Sequence, residues 1–230
     1  MVAATEDAKV PTVTVLVLGE PRVGKSTFLS LNSSTATLIP SSPSSSSSPS
    51  SSSSPLPLPL LPPSTQPHLV SLRLHNKPYA LLLYDTASPT PFTALSPDLI
   101  ILAFDVSRRA TLTALRDRWL PLVDVAFNAD ERVGVMVLGL CRDRRDKLRY
   151  RDEDAVGDGE GGGGGIVTPH EALAVAQAMR CDRYAECSAL TGELCGLVVE
   201  DVAKMAAAAA DANADGEGGG GRTQGGCGVM

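Results

Sequence analysis

The stretch Gly19-Glu20-Pro21-Arg22-Val23-Gly24-Lys25-Ser26 matches G-x-x-x-x-G-K-[ST]. No other part of the chain constrains its fold as much, because the neighbouring residues supply the setting this turn needs. Val13-Thr14-Val15-Leu16-Val17-Leu18 precedes it and reads as a buried strand, being apolar and β-branched. Thr27, Phe28 and Leu29 follow and read as a helix start. A strand feeding a glycine turn and then a helix aims several backbone N–H groups at one spot, where the helix dipole adds positive potential. That arrangement suits phosphate. Lys25 is expected to reach the β- and γ-phosphates of a nucleotide, and the Ser26 hydroxyl to ligate Mg²⁺.

The rest of the chain alternates strand and helix patterns. Leu69 to Leu74 alternates apolar and polar residues, His75-Asn76-Lys77-Pro78 reads as a turn, and Tyr79 to Tyr84 as a second strand, so the pair is an antiparallel hairpin. Leu99 to Phe104 and Val133 to Leu138 are continuous apolar runs that read as buried strands. Between them Leu112, Leu115, Trp119, Leu122 and Val123 recur at helical spacing. Thr168-Pro169-His170-Glu171 predicts a helix start to about Met179, with Thr168 as cap, Pro169 in the first turn and Glu171 completing a capping box. Tyr184 to Cys187 reads as a short strand. Glu193 to about Ala210 reads as a last helix with Leu194, Leu197, Val198, Val202 and Met205 inward. Strands separated by helices imply a mostly parallel sheet covered on both faces, here about six strands with one antiparallel edge. Ligands on such sheets bind at the carboxyl ends of the strands.

Ser41 to Thr65 is almost entirely Ser, Pro and Leu, Arg151 to Gly165 is acidic and then polyglycine, and Ala206 to Gly226 is alanine- and then glycine-rich. These read as a disordered insert, a flexible insert and a helix end with a flexible tail. The expected division is a tail at 1–10, a domain at 11–205 carrying inserts at 41–65 and 151–165, and a helix end and tail at 206–230. The formal charge of −6 over 230 residues argues against general nucleic-acid binding. Met1 to Lys9 lacks an apolar signal core, and no apolar run is long enough for a membrane span. Five cysteines without C-x-x-C pairs fit a reducing compartment and argue against a zinc site.

Tyr84-Asp85-Thr86-Ala87 ends a buried strand, where an Asp can hold Mg²⁺ through water. With that motif the chain resembles the Ras superfamily of small GTPases, the Rho branch in particular, over most of Val10 to Met205. Asp85-Thr86-Ala87 resembles the start of the family's D-T-A-G-Q. Leu95 to Phe104 is similar to the stretch after switch II, and Trp119-Leu120-Pro121 to the Rho W-x-P. Thr168-Pro169 with Leu173-Ala174 is similar to the segment after the Rho insert, and Glu186-Cys187-Ser188-Ala189-Leu190-Thr191 to the Rho form of the last guanine-binding loop.

The resemblance implies a three-layer phosphate-loop GTPase fold and a GTP/GDP switch. Gly19, Glu20, Pro21, Arg22, Val23, Gly24, Lys25, Ser26 and Thr27 would hold the phosphates. Ser188, Ala189 and Leu190 would lie against guanine. Asp143 falls on the aspartate that reads guanine, accepting from the ring N–H and the exocyclic amine, a donor pair adenine lacks. Implied partners are exchange factors, effectors and a guanine-nucleotide dissociation inhibitor. A monomer that binds no nucleic acid is expected.

The departures from the family pattern are specific. Leu140-Cys141-Arg142-Asp143 stands for [NT]-K-x-D, so Cys141 replaces the Lys that packs over the base and Leu140 the polar residue that braces the loops. Ser88 takes the place of the glycine of D-T-A-G-Q, and Pro89 that of the water-positioning Gln. Pro21 stands where the phosphate loop normally has Gly, which removes an N–H and adds bulk. Pro40-Ser41 is the nearest match to the switch I P-T, giving Ser41 as a weak Mg²⁺ ligand; Phe28 lies too close to the phosphate loop to be the switch I aromatic. Slow hydrolysis is the expectation, and a non-hydrolysing interaction module the alternative.

Cys227-Gly228-Val229-Met230 fits C-a-a-X with a terminal Met, a farnesylation-type pattern. A single prenyl chain implies reversible association with the cytoplasmic face of a membrane. Arg142, Arg144, Arg145, Lys147, Arg149 and Arg151 read as a solvated basic loop, His68, His75 and His170 as surface residues, and Cys187 and Cys195 as packing residues.

Overall fold

The computed structural model describes residues 10–35, 62–74, 77–128, 132–145 and 165–217. Its strands are β1 (Thr12–Leu18), β2 (His68–Leu74), β3 (Lys77–Asp85), β4 (Leu99–Asp105), β5 (Gly134–Leu140) and β6 (Arg183–Glu186). Its helices are α1 (Lys25–Thr35), α2 (Arg109–Ala114), α3 (Leu120–Ala126), α4 (Pro169–Ala178) and α5 (Cys195–Glu217), with a π-helical turn (Leu115–Trp119) joining α2 to α3. The six-stranded sheet has the order β2-β3-β1-β4-β5-β6. Only the β2–β3 pairing is antiparallel. This is the Ras-like α/β architecture expected from the sequence.

Side-chain alternation along the strands builds two cores. Val13, Val15 and Val17 of β1 face α1 and α5, packing with Phe28, Leu29, Val198 and Val202. Leu16 and Leu18 face the other way, toward Leu112, Leu115, Trp119, Ala172 and Ala176. All seven residues of β4 are buried, as a strand between β1 and β5 and covered on both faces must be. Each fully buried Leu, Ile or Val contributes about 1.5–3 kcal/mol. The parallel strands β1, β3, β4, β5 and β6 end on one edge, so the segments after them converge there.

Several local expectations need correction. Thr168 caps α4, its hydroxyl accepting from the Glu171 N–H at 3.2 Å. The return half of the box is not made, because the Glu171 carboxylate accepts from Arg109 Nη2 at 2.8 Å instead. In α5, Val198 and Val202 are buried but Leu197 is 60% exposed, and Leu194, just before the helix, is 39% exposed. The helix starts only at Cys195, after Leu194 at φ 59°, and its buried stripe runs through Cys195, Val198, Val202, Ala203, Ala206 and Ala207, with Leu197 on the opposite side. Those alanines let α5 lie close to the sheet, and the helix runs past Ala210 to Glu217.

His68 is not a surface residue: it is 5% exposed on the inward side of β2, and burial lowers its pKa against the opposing charge of Asp85. The last residues of the Ser/Pro segment form a 3₁₀ turn, Pro63–Thr65. Ser41, His75, Lys147, Arg149, Arg151 and Cys227 lie outside the described residues, as do 41–61, 151–164 and 218–230. Among the described residues no helix is long and apolar enough to cross a membrane.

Candidate nucleotide site

The turn after β1 is shaped by close approach. A Cβ on Gly19, at φ +144°, would sit 2.1 Å from the carbonyl oxygen of Ala103 in β4, so only glycine fits. Gly24, at φ +106°, packs against Leu140, the last residue of β5, and Cys141 after it. Lys25 then begins α1. Its ammonium group is buried and donates to the carbonyls of Gly19 at 2.9 Å and Glu20 at 3.0 Å, folding back over the turn. Burial lowers its pKa, opposed by the negative charges of Asp85 and Glu20.

Glu20 is itself held by residues of the π-helical turn. Its carboxylate accepts from Trp119 Nε1 at 3.0 Å and Arg118 Nη1 at 3.1 Å. The Arg118 guanidinium also lies over the Trp119 ring, 5.1 Å from its centroid. Leu115 and Trp119 are both buried through the π-helical turn, which presents Trp119 to the phosphate loop.

Asp85, at the end of β3, is 1% exposed. One carboxylate oxygen accepts from the Ser26 hydroxyl at 2.9 Å. The other accepts from the Ala87 N–H and from Gln66 Nε2, each at 2.7 Å, while the Asp85 N–H donates to Gln66 Oε1 at 2.8 Å. Ser26 and Asp85 therefore form a pair of hard oxygen donors beside the lysine. Ser88 donates its N–H back to the Asp85 carbonyl at 3.1 Å, and Pro89 is exposed beyond it.

The segments after β5 and β6 meet at a second point on the same edge. The buried Ser188 hydroxyl donates to Asp143 Oδ1 at 2.6 Å, and the Arg142 N–H donates to the Cys187 carbonyl at 3.3 Å. Ser188 also accepts from the Thr191 N–H at 3.3 Å, and Ala189 is buried while Leu190 is exposed. Cys141 holds a φ of 62°, and its thiol points at the Val23 carbonyl at 3.6 Å. Burial, with Asp105 nearby, pushes that thiol up to about 11.

The chain is 28% identical to the GTP-binding protein RHO2 of Saccharomyces cerevisiae over 60% of its own length and 68% of the relative's. It is 30% identical to the GTP-binding protein RHO3 of Eremothecium gossypii over 50% of this chain and 56% of that protein. It is 26% identical to the human Rho-related GTP-binding protein RhoD over 60% and 65%. The chain is thus similar to Rho-family GTP-binding proteins at 26–30% identity. It spans between about half and two thirds of these relatives' lengths, and no family model matches it.

The structure brings Gly19 to Thr27, Asp85, Ser88, Asp143 and Ser188 to Leu190 to one sheet edge. One expectation changes. The basic segment after Asp143 is not a solvated loop where it is described: Arg145 is 7% exposed and grips Glu186 through both terminal nitrogens, while its Nε donates to the Val167 carbonyl at 2.9 Å. Burial works against the charged form of Arg145, but the hydrogen bonds and charge of Glu186 leave its pKa raised. Arg142 pairs with Glu193 and Arg144 with Asp105.

Sequence reasoning also missed Gln66, Asp105 and Arg108. Gln66 hydrogen-bonds both the carboxylate and the N–H of Asp85, whereas Ser41, the sequence candidate for a weak Mg²⁺ ligand, lies outside the described residues. Asp105 carried a signal: it ends an apolar strand as Asp85 does. Gln66 and the reach of Arg108 to the Arg22 carbonyl carried none, since Asp85 and Arg22 are far from them in sequence.

Proposed function

We propose that the protein is a Rho-like small GTPase that binds GTP and GDP with Mg²⁺ and acts as a GTP/GDP switch with slow hydrolysis. The observation that carries this reading is the sharing of one sheet edge by the Lys25–Ser26–Asp85 cluster and the Asp143–Ser188 pair. The first suits a metal-bound phosphate tail and the second a guanine base.

The donor set fits its implied partners. Backbone N–H groups of the Gly19 to Thr27 turn and the Lys25 ammonium would bind the phosphates. Ser26 would ligate Mg²⁺ directly and Asp85 through water. Mg²⁺, when bound, supplies neutralising positive charge for the phosphates. Asp143, oriented by Ser188, would accept from the guanine ring N–H and exocyclic amine, and an adenine would leave those acceptors unpaired.

Slow hydrolysis follows from three positions. Pro89 has no amide to orient an attacking water. Ser88 has a narrower backbone range than glycine, and its N–H is engaged by Asp85. Pro21 lacks an N–H beside the terminal phosphate. These same positions favour a second reading, a non-hydrolysing interaction module with the same fold. Exchange factors, effectors, a guanine-nucleotide dissociation inhibitor and a prenyl group on Cys227, giving reversible attachment to a cytoplasmic membrane face, are part of the proposal. Analysis of the nucleotide that co-purifies, followed by single-turnover GTP hydrolysis, tests it. GDP with a GTP lifetime longer than that of ordinary Rho proteins supports the switch. GTP with no turnover selects the module, and an ordinary Rho lifetime refutes slow hydrolysis.

A further inference from the structure

We propose that Asp105 is a positioning residue that braces the phosphate turn against the base-reading turn through Arg108 and Arg144. The two turns need a tie that their own residues do not supply. Leu140 has no side-chain donor, and the Cys141 thiol makes only a weak contact with the Val23 carbonyl at 3.6 Å. Asp105 lies between them. It ends β4, pairs in register with Leu140, and is fully buried.

Every contact of its carboxylate is directed. Oδ1 accepts from the Ser107 N–H at 2.9 Å and the Ser107 hydroxyl at 2.6 Å. Oδ2 accepts from Arg108 Nε and Arg144 Nη1, each at 3.0 Å. Arg108 Nη2 continues the tie, donating to the Arg22 carbonyl at 2.9 Å and reaching the Pro21 carbonyl at 3.5 Å. Arg144 follows Asp143 directly, so one carboxylate oxygen joins the carbonyls of the phosphate turn to the residue beside the guanine reader.

The arginine contacts also answer a local problem. Arg22 has a φ of 63°, a left-handed conformation that costs a non-glycine residue of order 1 kcal/mol. Its carbonyl is the one Arg108 holds most closely. Two guanidiniums on one carboxylate leave the cluster net positive beside the phosphate turn, which favours a polyanion.

This brace rests on the proposed guanine-nucleotide reading only for its effect on binding, so two measurements separate them. The first is backbone hydrogen exchange in the nucleotide-free full chain, comparing wild type with Arg108→Ala and Arg144→Ala. Both arginine side chains are partly exposed, so either truncation leaves the core intact. Each variant is expected to raise exchange in both turns, Arg22 to Lys25 and Cys141 to Arg144. A rise confined to the altered residue's own turn, or no rise, overturns the brace.

The second measurement is release of N-methylanthraniloyl-GDP. Each single variant should release it about tenfold faster, the double variant little faster than either single, because both act through Asp105. Arg108→Lys should restore part of the loss. Arg183→Ala, which breaks the remote pair with Asp201, should change neither readout. Additive effects of the two arginines, or release at the wild-type rate, overturn the brace. Failure of wild type to bind the probe sinks the guanine-nucleotide reading, while the exchange arm still decides the brace.

Discussion

Ser188→Ala isolates the orientation of the proposed guanine reader. The Ser188 hydroxyl is fully buried and donates to Asp143 Oδ1 at 2.6 Å. A hydrogen bond to a charged group contributes about 1.5–3 kcal/mol. If that energy acts mainly by holding the carboxylate toward the base, its loss weakens GDP binding roughly 10- to 150-fold. Preference for GDP over ADP should narrow in parallel, since discrimination depends on where the carboxylate points. The hydroxyl also accepts from the Thr191 N–H at 3.3 Å, so some loss of thermal stability accompanies the change. Titration with GDP and with ADP, at saturating Mg²⁺, reads both effects. Thr191→Val is the control, because it removes only an acceptor for the Glu193 N–H and leaves Asp143 held. GDP affinity within twofold of wild type in Ser188→Ala would refute the reasoning, as would weakening with unchanged GDP-over-ADP preference.

Three further outcomes follow from buried or perturbed groups. Arg145→Met leaves the Glu186 carboxylate without its two-pronged partner in a buried setting. It should cost about 3–5 kcal/mol, or roughly 6–20 °C in thermal midpoint, and a midpoint within 2 °C of wild type would return Arg145 to a solvated role. The Cys141 thiol, pushed up to about 11 from 9.0, stays protonated near neutrality. Iodoacetamide at pH 8 should therefore alkylate it about a hundredfold more slowly than a free thiol. Because the folded thiol keeps its proton where the unfolded one loses it, stability should also fall as pH rises from 9 toward 11. Alkylation at the free-thiol rate contradicts this. Gln66→Ala removes the acceptor of the Asp85 N–H, so exchange at that amide should rise and GDP release at limiting Mg²⁺ should quicken; unchanged protection at Asp85 would exclude Gln66 as its holder.

The parts of this molecule that sequence made legible are those governed by short-range pattern. The β-branched run before Gly19, the alternation of the hairpin and the continuous apolar β4 each report their own burial. The phosphate turn is legible because its chemistry needs glycine, lysine and a hydroxyl at fixed spacing. Asp143 and Ser188 were placed by the resemblance to Rho proteins, since nothing local pairs them.

What was illegible depends on distant contacts or on helix phase. Arg145 looks like any residue of a charged loop until Glu186 of β6 comes beside it. Gln66 looks like a linker residue until the hairpin returns Asp85 to it. Leu197 reads as inward because it falls at helical spacing from Leu194. In α5 it lies opposite the buried stripe, whose inward face carries small alanines beside Val198 and Val202. Glu171 fits a capping box, yet Arg109 on another helix competes for its carboxylate and wins.

The central claim is that one sheet edge binds a guanine nucleotide with its phosphates on the Lys25 turn and its base on Asp143. Isothermal titration of the folded full chain with GDP and Mg²⁺ tests it most directly. The account predicts one-to-one binding that Lys25→Ala and Asp143→Ala each abolish or severely weaken, with ADP giving no comparable heat. Flat GDP traces on folded wild-type protein, or equal binding of GDP and ADP, would contradict it.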